Sequence, residues 1–156
     1  MAETTKPMKT VPTPKAGTSG FSKDEQAAMK ERAREARAEA RRGADRDAGE
    51  QDLLAKIAEM SPADRALAER IHALVTRAAP DLAPRTWYGQ PAYARDGKVV
   101  CFFQPADKFK TRYATLGFSD EARLDAGTFW PVAYALTELT DEIEARITAL
   151  VQQAVG

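Results

Sequence analysis

Seven side chains with binding chemistry cluster in the second half of this 156-residue chain: Trp87, Tyr88, Gln90 and Tyr93, then Lys108, Lys110 and Arg112. The first four surround Gly89 and Pro91 in the run Trp87-Tyr88-Gly89-Gln90-Pro91-Ala92-Tyr93. Glycine permits a backbone conformation closed to other residues and proline fixes a torsion, so the run reads as a rigid turn at Gly89-Gln90-Pro91. Such a turn can display rings and an amide around a small ligand, with Lys108, Lys110 or Arg112 supplying charge for an anion. The same turn can equally be a core corner whose rings bury themselves.

Other chemistry is thin. The chain contains no Gly-x-Ser-x-Gly, no phosphate-binding Gly-x-x-x-x-Gly-Lys, no Gly-x-Gly-x-x-Gly and no His-Glu-x-x-His. His72 is the single histidine. It sits one helical step off an apolar stripe, where a half-buried imidazole with a local hydrogen bond competes with a general base or metal ligand. Cys101, between Val100 and Phe102, reads as an inert packing thiol, because an apolar site raises a thiol pKa. A single cysteine also excludes an internal disulfide and a cysteine-rich zinc site. These gaps lean away from an enzyme.

The elements that must position these residues follow from periodicity. Eleven of the twelve Phe, Tyr and Trp residues fall between Trp87 and Tyr134, so the core is expected there. Trp87 to Ala94 forms a first extended run, Asp96-Gly97 a two-residue hairpin, and Lys98 to Gln104 a strand apolar on both faces. After a loop at Pro105-Ala106-Asp107-Lys108, Thr111 to Phe118 reads as a third strand. Phe129 to Leu136 reads as a fourth, with Pro131 marking an edge or bulge. Ser61-Pro62-Ala63-Asp64 and Thr140-Asp141-Glu142 are helix starts, followed by apolar positions at helical spacing. The expected fold is α+β, an antiparallel sheet of about four strands packed with an N-terminal and a C-terminal helix.

With these elements in place, Tyr88-Gly89-Gln90-Pro91-Ala92-Tyr93, the short hairpin, the aromatic strand and the Lys-rich turn resemble the YdhG-like domain family. The resemblance covers roughly residues 62 to 155. Its most specific part is the aromatic-Gly-x-Pro-x-aromatic turn. It implies a small domain of unknown function, some members of which are described as frataxin-like intracellular iron chaperones. Iron is therefore a cofactor or cargo that the resemblance brings in. Oxygen donors for labile Fe(II) would come from Asp120, Glu121 and Asp125, or from Glu138, Asp141, Glu142 and Glu144. Asp141 and Glu142 also have a simpler place as first-turn acids on a helix dipole. Two departures matter: Gln90 stands where the family usually has Met, and no histidine follows His72, so a role resting on a later imidazole does not carry over.

The front of the chain has another character. Residues 1–21 hold Lys, Thr and Pro without an apolar signal core, which reads as a disordered tail and points to the cytoplasm. Ser22-Lys23-Asp24-Glu25 is a capping box opening a charged helix, expected to break at Gly43 to Gly49, so that residues 22–48 form an exposed arm and linker before a domain at 50–156. Arg32, Arg34, Arg37, Arg41 and Arg42 could serve a nucleic-acid accessory protein, together with the basic turn Lys108 to Arg112. However, eight basic residues between Lys23 and Glu50 are matched by eight acidic ones, and the whole chain has net charge zero. Counterion release would gain little, so a nucleic-acid partner is disfavoured. No apolar run is long enough for a bilayer. The expected function is non-catalytic binding of a metal or small ligand, with the assembly state left open. Removing residues 1–43 is expected to leave the melting transition nearly unchanged; a large drop in Tm on truncation would show that the charged helix is docked.

Overall fold

A computed structural model describes residues 22–156, so the expected tail at residues 1–21 lies outside the described residues. Two compact units are distinguished, Met1–Gly43 and Ala44–Gly156.

The first unit holds the charged start of α1 (Lys23–Ala58). The capping box forms as its residues dictate: Ser22 N–H donates to Glu25 Oε1 at 2.9 Å, and Glu25 N–H to Ser22 Oγ at 3.0 Å. Arg32, Arg34, Arg37 and Arg41 are exposed, while the side chain of Arg42 lies outside the described residues. Arg34 pairs with Glu31 at 3.1 Å in full solvent, the kind of pair worth about 0.2–0.5 kcal/mol.

The expected break at Gly43 to Gly49 does not occur; α1 runs through both glycines. A glycine costs a helix only about 1 kcal/mol, too little to end it when the following residues pack. They do pack: Leu53 and Ile57 are fully buried in the core of the second unit.

That unit continues with α2 (Pro62–Ala78), β1 (Ala83–Trp87), β2 (Gln90–Arg95), β3 (Lys98–Gln104), the single turn α3 (Ala106–Phe109), β4 (Ala114–Phe118), β5 (Ala133–Leu136) and α4 (Asp141–Val155). The strands form one antiparallel meander in the order β1-β2-β3-β4-β5, five strands where four are expected from sequence. The extra strand is β1. Its sequence, Ala-Pro-Arg-Thr-Trp, lacks an apolar alternation, and only pairing with β2 reveals it. The expected turn at Gly89-Gln90-Pro91 moves accordingly: Tyr88 and Gly89, at φ 52° and 74°, make the two-residue hairpin, and Gln90 already pairs with Trp87. Asp96-Gly97 forms the second tight hairpin as expected, at φ 53° and 79°. The third expected strand starts at Ala114 rather than Thr111, because Ala106 to Phe109 close a helical turn ended by Lys110 at φ 56°.

The helices supply the other layer. On α2, Ala68, Ile71, Leu74 and Val75 are buried, each large apolar side chain contributing about 1.5–3 kcal/mol of burial. Ile147, Val151 and Ala154 do the same on α4, whose start is capped by Thr140 Oγ1 accepting from Ile143 N–H at 3.2 Å. Arg70 on α2 holds Glu144 on α4 through two hydrogen bonds of 3.0 and 2.6 Å. That donation keeps the Glu144 carboxyl below its ordinary range. The sheet face that meets the helices carries Tyr93, Cys101, Phe103, Leu116 and Leu136, all buried. Among the described residues, no helix is long and apolar enough to cross a membrane.

Candidate functional site

The β1–β2 hairpin divides the aromatic group that the sequence brings together. Residues three apart on a strand face opposite ways, so Gln90 and Tyr93 part company. Gln90 lies opposite Trp87, and the Trp87 ring packs on Phe102 at 5.1 Å between centroids, on the sheet face away from Tyr93. Phe102 can lie flat there because its cross-strand partner is Gly117, where any Cβ would collide with the ring. Tyr88, at the turn, is 78% exposed. Gln90 is buried: its Nε2 donates to the Trp87 carbonyl at 3.4 Å, and its Oε1 is sealed with no partner among the described residues. Pro91 and Tyr93 belong to the core.

Tyr93 ends a hydrogen-bonded chain that joins three elements. Glu50 of α1 meets His72 of α2 at 3.1 Å from Nε2, and His72 Nδ1 meets the Tyr93 hydroxyl at 2.9 Å. With Glu50 ionised, Nε2 donates to the carboxylate and Nδ1 accepts from the phenol. Burial holds the Tyr93 phenol well above its usual pKa, so it stays protonated and able to donate. The order carboxylate, imidazole, hydroxyl is that of a nucleophile relay. Here the terminal oxygen belongs to a side chain that is 2% exposed, so no substrate reaches it. His72 is half-buried, as its position beside the stripe implies, but both its bonds are long-range. Cys101 is likewise sealed, and burial pushes its thiol up to about 12.

The basic turn is partly committed to structure. Lys108 Nζ donates to the Gly89 carbonyl at 2.9 Å, tying α3 to the β1–β2 turn. Arg112 lies over the Tyr113 ring at 5.1 Å, and Lys110 terminates α3. Of the nine residues singled out around the turn and the basic segment, Gly89 and Lys108 line a common concavity, a cleft of about 290 Å³.

The rest of that cleft comes from residues to which sequence gives no binding role: Lys56 and Glu59 near the end of α1, Met60, Ser61, Asp64, Pro105 and Asp107. Its centre is Asp64. In sequence this is a first-turn acid on a helix dipole; in the fold it is 5% exposed. Its Oδ2 accepts from the Asp107 backbone N–H at 2.9 Å and from Ser61 Oγ at 3.3 Å, so Ser61 serves the carboxylate instead of capping α2 with its side chain. No hydrogen bond to Oδ1 is found among the described residues, and Asp64 lines the cleft. A carboxylate so far removed from water gains from any donor that enters. Nothing in the spacing of Asp64 and Lys108 signals this meeting. The start of α3 docking on the start of α2 creates it.

The carboxylates weighed as iron ligands do not converge. Asp120, Glu121 and Asp125 line a shallow hollow with Arg123, and Glu144 is held by Arg70. Among the described residues, no three His, Cys, Asp or Glu side chains are placed to hold one metal ion. The described residues therefore offer iron no three-donor site.

The class defined by these features is a small α+β domain with a five-stranded antiparallel meander and a charged surface cleft. Comparison with family models, with curated proteins and with solved structures finds no match for this chain.

Proposed function

We propose that this chain is a cytoplasmic YdhG-like binding protein that holds a small charged molecule in the cleft around Asp64, Gly89 and Lys108, without transforming it. The supporting observation is the buried carboxylate of Asp64, which lines a cleft together with Lys56 and Lys108. A site with both signs of charge fits a zwitterion. Its ammonium end would donate to Asp64 and its anionic end would meet the lysines. Met60 and Pro105 supply apolar wall for the carbon skeleton between them.

Isothermal titration with the common α-amino acids and their decarboxylated amines tests this reading, with anaerobic Fe(II) as a separate arm. At least one zwitterion is expected to give saturable heat. Asp64→Asn keeps an acceptor for Asp107 but removes the charge, and is expected to weaken binding about 10- to 100-fold, the value of a charge-assisted hydrogen bond. Lys108→Ala should weaken the amino acid more than the corresponding amine. Silence from every organic probe at millimolar concentration, or binding indifferent to both variants, removes the proposal; a saturable Fe(II) isotherm in its place restores the metal reading.

A further inference from the structure

The two edges of the sheet are guarded unequally. β1 carries Pro84, which lacks a backbone donor, and α1 lies so close along it that a Cβ on Gly49 would collide with the Pro84 carbonyl oxygen. β5, Ala-Tyr-Ala-Leu, has no proline, lysine or bulge. Its backbone pairs with β4, and no backbone hydrogen bond among the described residues engages its outward side. In a four-residue antiparallel strand, about two residues turn their N–H and C=O outward, a template for another strand.

Beside this edge runs an apolar groove of about 260 Å³. Leu116, Tyr134 and Leu136 line it from the sheet, and Ile143, Ile147 and Leu150 from α4. A further hollow continues past Tyr134 and Leu150 toward Gln153. Just before the strand, Phe129 is 93% exposed and Val132 45%. Unprotected backbone, an adjoining greasy groove and exposed apolar residues thus coincide at one place, which marks a docking surface.

We infer that β5 pairs with β5 of a second copy of this chain about a two-fold axis, joining the two sheets into one. The groove's own charges select this occupant. It is lined by one acid and one base, Glu138 and Arg146, and neither has an ion-pair partner among the described residues. An isologous contact presents the same patch from both sides, so each Arg146 gains the partner's Glu138 as a counter-charge. A chain of net charge zero also meets its copy without long-range repulsion.

Sedimentation equilibrium of the full chain from about 1 to about 200 μM is the test, since mass action must draw a dimer out with concentration. The expected result is a monomer–dimer equilibrium. Ala135→Lys places an exposed like charge twice across the symmetric strand pair and is expected to weaken association about tenfold. Thr76→Lys, on the exposed face of α2, should leave it unchanged. Hydrogen exchange of the amides of residues 133–136 in the unaltered protein gives a readout free of mutation: it should slow as concentration rises. A monomer throughout the range overturns the inference; a dimer insensitive to Ala135→Lys overturns it by placing the contact elsewhere.

Discussion

Tyr93→Ala is expected to cost about 3–5 kcal/mol, the usual loss for deleting a buried ring, which is a large part of the 5–15 kcal/mol available to a domain. The ring is among the largest fully buried side chains and stands where β2 meets α2. Tyr93→Phe separates the ring from its hydroxyl. It keeps the packing but leaves His72 Nδ1 without its donor in a half-buried site, for an expected loss of about 1–3 kcal/mol. Urea denaturation of the three proteins measures both steps. If Tyr93→Phe unfolds at the parent midpoint, the Glu50–His72–Tyr93 chain contributes nothing to stability, and its role as a tie between α1, α2 and the sheet is wrong.

Gly49→Ala should also destabilise, by about 1–3 kcal/mol, although helix propensity alone favours alanine by about 1 kcal/mol. The sign turns on one contact. Gly49 sits in α1 where the helix meets β1, and the new methyl would overlap the Pro84 carbonyl oxygen, a backbone atom that cannot swing aside. Gly43 is the internal control, because a methyl added there would have nothing within 4 Å among the described residues. Gly43→Ala should therefore raise the far-ultraviolet helix signal without loss of stability. Equal responses from the two glycines would mean that the helix does not bear on β1 as described.

The contrast between these glycines shows where sequence stops being informative. Both read as helix breakers, because a one-dimensional pattern carries the local cost of glycine and not the contact that requires it. The same limit hides β1, whose Pro84 and Arg85 disguise a strand that exists through its pairing with β2. It also hides the partner of His72, since Glu50 lies on another helix. Local signals fare better. The Ser22–Glu25 capping box, the Asp96-Gly97 hairpin, the β3 limits at Lys98 and Gln104, the Thr140 cap and the sealed Cys101 all follow from neighbouring residues, and all are present.

By itself, then, the sequence determined the α+β class, the starts of α1, α2 and α4, the Asp96-Gly97 hairpin, and the burial of the central aromatic strand. Each of these depends on interactions within a few residues or on the amount of apolar surface to be hidden. Tertiary structure alone decided that Trp87 and Tyr93 face opposite ways, that Asp64 meets the start of α3 beside Lys108, and that β5 is left as an open edge. These depend on strand register and on which elements dock, and such long-range choices are made by the packing of the whole core.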